Sequence, residues 1–404
     1  MPYRATLRLA TLAALGGCTA EYAREVAVRY DSAGVEVVFS PAPMFGTEIV
    51  LADEPVTVIR PDFGAPDHFL FRVTSAAGTS SGGLLVGNSG TSQVFRFDSG
   101  GALHGTVGRP GDGPGEARSI SSLHRCDEEG FAVVSPARVN VYDANLGLAG
   151  SAPMIGRLAD ARAQVVGLTP GCDSVLIQAP SGLAPRPGDA LVEIPQSFYW
   201  TSLEGGRRDT VVVASTGPGL AWALGGRLGW TRVPFGPRTV SASVEDRLVT
   251  GLGRDREISV LASSGAVAGV FRWGGTSLEL SDGDWAAFVD SYQQFLREHP
   301  EEQAYVPRLE TLPRSDSKPA YGALLADDAG RLWLQDYEGY GPFTEHLAST
   351  WSVLDASGRF VARVRTPSDV DVLAVTTRVL IGLRKDGMDQ EYVVVYRLPD
   401  RLAP

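Results

Sequence analysis

Lysine is almost missing from this chain of 404 residues: Lys318 and Lys385 are the two present, and arginine supplies the rest of the 36 basic side chains. No dense basic run occurs beyond the N-terminus, and the formal charge is −11. Such a surface repels a phosphate backbone, which sets nucleic-acid binding aside. Histidine is also scarce. His68, His104, His124, His299 and His346 show no i, i+2 or i, i+4 pairing and no His-Glu-x-x-His run. A zinc site written as a local motif is thereby excluded. A metal site gathered from distant segments is not. No serine is read as the nucleophile of an elbow, and scattered Ser, His and Asp residues define no triad. No residue is assigned a catalytic role, and none is assigned as a metal ligand.

What is present is repetition. A short apolar strand, a Gly/Asp turn and a second strand ending in an Asp-x-x-Gly-type turn recur about six times. The clearest copy runs Gly83-Leu84-Leu85-Val86 … Gln93-Val94-Phe95-Arg96-Phe97-Asp98-Ser99-Gly100. The second strand of each unit starts near Leu84, Phe131, Val175, Leu248, Leu332 and Val379, at gaps of 47, 44, 73, 84 and 47 residues. Four strands in roughly 40–50 residues is the signature of a propeller blade. The 47 glycines and 26 prolines suit its many tight turns. The fold class expected is all-β: a six-bladed β-propeller, its N-terminal strand closing the last blade, with one helical insertion.

The blades read Phe69–Gly108, Ile120–Pro153, Ala163–Ala214, Thr239–Trp273, Tyr321–Thr366 and Asp371–Leu398. The last offers three strands, and Val56-Thr57-Val58-Ile59-Arg60 is free to supply the fourth, removing open edges. The two long gaps hold insertions. The first, with Pro180, Pro185, Pro187, Pro195, Gly217-Pro218-Gly219 and Gly225-Gly226, reads as long loops. The second, about 277–313, reads as a helix. Ser281 and Asp284 form a capping box, Pro300 stops the helix, and Trp285, Phe288, Val289, Tyr292, Phe295 and Leu296 make one apolar face. That face is expected to dock on the propeller body.

The N-terminus differs from the rest. Arg4 and Arg8 precede the apolar run Leu9–Leu15, and Gly16-Gly17-Cys18 closes it. The run is too short to span a bilayer and fits a secretory signal. Leu15-Gly16-Gly17-Cys18 resembles a bacterial lipobox, which implies Cys18 as the acylated first mature residue. Loss of the leader takes the charge to −13. Thr19, where an Asp would signal inner-membrane retention by analogy, points to the outer membrane, facing the periplasm or the cell surface. Residues 1–18 are thus read as leader with lipobox, 19–54 as tether and a hairpin over Val26–Phe39, and 55–404 as the propeller. Cys126 and Cys172 precede like turns in consecutive repeats. A bridge needs their Cα atoms within about 7 Å. Neighbouring blades favour two buried free thiols instead, and both readings stay open.

Three stretches carry a family likeness: Tyr30–Val38, Val86–Asp98 and Val107–Ala117. Through them the chain resembles bacterial six-bladed β-propeller lipoproteins, an NHL-like group of mostly uncharacterised members. The third stretch, Gly108-Arg109-Pro110-Gly111-Asp112-Gly113-Pro114-Gly115-Glu116-Ala117, carries Ala where the family has Phe. It joins one blade to the next. Gly111, Gly113 and Gly115 let the chain cross the ring face. Glu116 is expected to accept backbone N–H groups of the neighbouring inner strand as a clip. No helix and no Lys-Ser/Thr follow, so it is no phosphate cradle.

In propellers the turns between second and third strands share a face with the connections between blades, and ligands enter there. The candidates on that face are Asn88, Thr91, Arg138, Arg254, Asp255, Asp336, Tyr337 and Glu338, the last three in an apparent flexible loop that runs to Gly341. Two functions follow. One is a membrane-anchored, monomeric extracytoplasmic protein that binds a peptide, a glycan or a partner protein. The other is a lactonase-like or lyase-like enzyme with a divalent cation on the axis. Carboxylates, Asn or His converging from three or more blades would favour the enzyme.

Overall fold

The computed structural model describes residues 27–41, 48–60, 69–126, 130–154, 163–181, 191–193, 195–205, 208–224, 227–304, 306–340 and 345–402. The leader, Cys18 and residues 19–26 lie outside them.

Six sheets carry the repeats. Sheet 1 holds Val73–Gly78, Leu84–Asn88, Gln93–Phe97 and Leu103–Val107. Sheet 2 holds Ser122–Arg125, Phe131–Val134, Arg138–Tyr142 and Leu148–Pro153. Sheet 3 holds Gln164–Leu168, Ser174–Pro180, Gln196–Ser202 and Arg208–Ala214. Sheet 4 holds Val240–Val244, Arg247–Gly251, Glu257–Leu261 and Val267–Trp273. Sheet 5 holds Tyr321–Ala326, Leu332–Tyr340, Glu345–Leu354 and Phe360–Arg365. Sheet 6 holds Val370–Val375, Val379–Lys385 and Glu391–Arg397, and its fourth strand is Thr57–Ile59.

The second strands each carry an apolar run because both their faces are covered there. Leu84, Leu85 and Val86, Phe131 to Val134, and Val175 to Ile177 are all buried. Six apolar clusters each join two neighbouring sheets, and one of them joins sheet 6 to sheet 1 through Ile381, Leu383 and Val393 against Val73, Leu84 and Phe95. The first strands follow the same cyclic order around an axis. The arrangement is all-β and propeller-type.

The recurring aspartates have one job. Asp98, Asp143, Asp327, Asp355 and Asp386 each accept two backbone N–H groups, from residues two and four ahead, at 2.8–3.1 Å. The carboxylate substitutes for a strand partner while the chain reverses. The repeat legible in the sequence is therefore a turn device, not a ligand set.

The N-terminal segment forms the expected hairpin, but the hairpin does not stand ahead of the sheets. Val28–Ser32 pairs with Val35–Ser40, which runs parallel to Val267–Trp273 and extends sheet 4. Glu48–Val50 then runs parallel to Phe360–Arg365 in sheet 5. Thr57–Ile59 pairs antiparallel with Glu391–Arg397. The Pro/Gly-rich insertion is not all loop either. Val192–Glu193, Pro218–Leu224 and Arg227–Arg232 form a small sheet. Pro218 is tolerated there as the first residue of its strand.

The helix spans Asp282–Glu298 with the Ser281/Asp284 capping box in place. Phe288 and Tyr292 are buried and pack against Phe235, Leu280 and Tyr340. Cys126 and Cys172 are joined by a disulfide, with Cα atoms 5.4 Å apart. Of the two open readings the bridge is the one present, although the sequence favours free thiols. Both cysteines sit at the axial ends of their sheets, where neighbouring sheets converge and the span is shortest.

Candidate functional site

The connection from sheet 1 to sheet 2 is a clasp. Asn140 Nδ2 donates to the Glu116 carbonyl at 3.0 Å, and Asn140 Oδ1 accepts the Gly115 N–H at 3.0 Å. Arg138 Nε donates to the Asp112 carbonyl at 3.1 Å. The Glu116 carboxylate turns inward, accepting the Gly113 N–H and Arg109 Nε, each at 2.9 Å. Those donors, the Gly113 N–H first, hold its pKa below the usual carboxylate range. Glu116 therefore does not clip the neighbouring inner strand, as the sequence reading had it. It shapes its own loop, and Asn140 on the third strand of sheet 2 makes the joint. A Cβ on Gly111 would fall 2.1 Å from Glu116 Oε2, so the turn needs glycine.

The other candidates on this face are largely engaged. Asn88 is fully buried and makes three bonds of 2.7 Å, with the Phe69 carbonyl, the Phe71 N–H and Thr91 Oγ1. Arg138 also donates to Ser151 Oγ. Asp336, Tyr337 and Glu338 do not lie in a flexible loop. They belong to the strand Leu332–Tyr340, whose register shifts on both sides of Tyr337. Asp336 accepts Arg363 Nε and Ser352 Oγ, and Tyr337 packs edge-on against Phe235. Arg254 and Asp255 lie exposed in a turn. None of the eight lines the cavity.

That cavity runs along the axis, with a volume of about 910 Å³, and is lined by the first strands of all six sheets. Its mouth lies at the turns between first and second strands, marked by Gly78, Cys126, Pro170, Glu245, Asp328 and Thr376. This is the face opposite to the one expected. Each first strand runs from the connecting loop toward that mouth, so Gln164 and Ser241 sit deep, and Ser243 and His124 lie nearer the opening.

Inside the mouth the wall carries a few polar, uncharged groups among apolar ones. Gln178 Oε1 accepts Gln164 Nε2 and Ser241 Oγ, both at 3.0 Å, tying sheets 3 and 4. Ser243 rests on Gly167, where a Cβ would meet its Oγ at 1.6 Å. His124 Nε2 lies 2.9 Å from Ser122 Oγ, and desolvation inside the ring pushes the imidazole down to about 4. His124 is therefore neutral at ordinary pH.

Charge appears at the mouth. Arg125 Nη1 of sheet 2 lies 3.4 Å from Asp328 Oδ2 of sheet 5. Those sheets stand three places apart in the cyclic order, so the pair crosses the opening. Asp328 also accepts the Thr377 N–H of sheet 6. The neighbouring Asp327 is spent on the turn, its carboxylate holding the Ala329 and Arg331 N–H groups, Arg331 Nε and Trp333 Nε1. Among the described residues no group of three or more His, Cys, Asp or Glu is placed to hold a metal ion.

Sequence reasoning missed this wall because it took the second strand as ruler. The usable signal was polar residues recurring in first strands: Ser122-Leu123-His124, Gln164 and Ser241-Ala242-Ser243. It also passed over Gly78-Thr79-Ser80-Ser81-Gly82, which has the Gly-x-Ser-x-Gly spacing. That run joins two strands of one sheet with no helix after the serine, so it makes no nucleophile elbow.

Sheets and site define a propeller-type all-β protein with an axial cavity. No family model matches the chain, and no curated protein does. Solved structures do resemble it. A Bacteroides fragilis protein described as exported shares 12% identity over 87% of this chain and 99% of its own, with a TM-score of 0.46. Regucalcin of Agrobacterium tumefaciens, described as calcium-binding, shares 9% over 87% and 97%, at 0.39. A DUF4221 family member from Bacteroides vulgatus shares 10% over 86% and 97%, at 0.44. Likenesses this distant carry no argument, and the architecture rests on the sheets themselves.

Proposed function

We propose that the chain is an exported six-bladed propeller lipoprotein that binds a ligand or partner in the periplasm or at the cell surface, without catalysing a reaction. The six-bladed reading is supported by the cyclic order of the first strands and by apolar clusters between successive sheets. Export is supported by the leader ending at Cys18 and by the Cys126–Cys172 disulfide, which suits an oxidising compartment.

The observation that carries the binding reading is the axial cavity, about 910 Å³, walled by Gln164 and Ser241 in its depth and by Ser243 and neutral His124 nearer the mouth. Pockets of roughly 300–1,000 Å³ with a few placed polar groups take small ligands. The donor set does not resemble that of a cation site: among the described residues no carboxylate converges on the depth of the cavity, and the buried Asp327 is already consumed.

Metal analysis of the purified full chain tests this reading. Substoichiometric calcium and zinc is the expected result. A tightly held stoichiometric divalent ion would overturn it in favour of a lactonase-like or lyase-like enzyme. Fractionation of a Cys18→Ser variant tests the anchor, which predicts release from membranes; retention would remove it.

A further inference from the structure

We propose that the axial cavity is a chamber for a small uncharged molecule bearing hydroxyl or amide groups, entered at the turns between first and second strands and barred there by the Arg125–Asp328 pair. This deepens the binding reading above and rests on it.

The chamber's chemistry follows from what its wall leaves unmet. Gln178 Oε1 takes two donors, which fixes both glutamine amides. Gln164 then presents its Oε1 as an acceptor. Ser243 presents a hydroxyl that both gives and takes. Neither atom has a protein hydrogen bond among the described residues, and both residues line the cavity. Displacing water from such groups is favourable only if the incoming molecule restores their hydrogen bonds. Hydroxyl and amide groups do so without needing a counter-charge. An ion would not be met: His124 is neutral, and the remaining deep wall is apolar, with Val166, Leu324 and Leu373. A charge there would lose its hydration with nothing in return.

The bar follows from the mouth. Arg125 and Asp328 come from opposite sheets, meet through one contact of 3.4 Å, and each leaves about a third of its side chain (32%) exposed. Such a pair is weak and breaks readily. Its two roots are firm. The disulfide fixes the residue next to Arg125 to sheet 3, and the Thr377 N–H holds Asp328 to sheet 6. Opening is thus a swing of side chains, with the backbone at the mouth kept in place.

The test needs no natural ligand. In the full chain carrying Cys18→Ser, Ser243→Cys supplies a free thiol inside the chamber, and Met388→Cys, at a position 83% exposed, supplies a surface control. Labelling rates are measured with uncharged 2-hydroxyethyl methanethiosulfonate and with its anionic sulfonatoethyl and cationic trimethylammonioethyl relatives. Normalised to the control, the uncharged reagent should label Ser243→Cys about tenfold faster than either ion, because each ion must shed water to enter. Adding Asp328→Ala, or separately Arg125→Ala, should raise the rate about threefold to fivefold, as expected for loss of a weak pair. Ser241→Cys repeats the measurement if Ser243→Cys fails to fold. Equal normalised rates for neutral and charged reagents would overturn the ligand class. Rates unmoved by both mouth variants would overturn the bar. Metal content of the unlabelled chain tests the binding reading, and labelling ratios measured after any metal is stripped with a chelator test the chamber and its bar, so the two failures are distinguishable.

Discussion

The two faces of the ring use their polar residues in opposite ways. On the face of the connecting loops, Asn88, Asn140, Arg138 and Glu116 are each tied to backbone, and their hydrogen bonds hold segments together. A cavity opens on the face of the first turns, and into it Gln164 and Ser243 look with atoms left over, while Arg125 and Asp328 meet at its mouth through one long contact. Polar residues that resemble a site in sequence are therefore structural here. The atoms open to a ligand belong to residues that looked ordinary. A side chain with every hydrogen bond committed holds the fold, and one with capacity to spare can serve a ligand.

Five measurements can break or sharpen that contrast. The largest effect belongs to neither face. Deleting residues 55–60 removes the fourth strand of sheet 6 and the buried Ile59, and should abolish the cooperative thermal transition. An unmoved melting temperature would show that the clasps alone hold the ring. Replacing Cys126 and Cys172 together by serine frees a span of 46 residues and should cost about 2–4 kcal/mol in urea unfolding.

Asn88→Ala, on the committed face, strands the Phe71 N–H and the Phe69 carbonyl and should cost about 2–3 kcal/mol. A cost under about 0.5 kcal/mol would mean that the clasps are ornamental. His124 gives a pH dependence. The unfolded imidazole takes its proton near 6.5 and the folded one at about 4, so stability falls as the pH drops through that window. The full shift would amount to ~3 kcal/mol, and because the ring faces a cavity able to hold water about 1–2 kcal/mol is expected. His124→Asn should flatten the difference between urea midpoints at neutral pH and at about pH 4.5. The smallest effect is the most pointed. Ser243→Ala should change stability by less than about 0.5 kcal/mol, since its hydroxyl has no hydrogen bond among the described residues. A larger loss would move Ser243 to the committed class.

Much of the fold was legible in the sequence. The second strands of the six sheets begin at Leu84, Phe131, Ser174, Arg247, Leu332 and Val379, at or beside the positions given by the apolar ruler. They were visible because both faces of those strands are buried, which writes an unbroken apolar run. The Ser281 capping box and the pairing of Thr57–Ile59 were legible for similar local reasons. The site was not. First strands edge the axis and mix Ser, His and Gln with Ala and Val, a pattern that reads as weak strand. The mouth depends on Arg125 and Asp328, 203 residues apart, and no spacing rule joins them. Asp336-Tyr337-Glu338 misled because their charge and aromaticity read as an exposed loop, whereas Arg363 and Phe235 bind them into a long strand.

The N-terminal segment has a consequence for how the protein is made. Val35–Ser40, Glu48–Val50 and Thr57–Ile59 join sheets 4, 5 and 6 in turn, although all three precede sheet 1 in the chain. They leave the ribosome first and find their partners last, Thr57–Ile59 only after Glu391–Arg397 has emerged. Until then Thr57–Ile59 stays unpaired, on display to proteases and chaperones. A chain cut short before the sixth sheet keeps Thr57–Ile59 without its partner. Completion of synthesis is thus recorded at the opposite terminus, where a protease can read it.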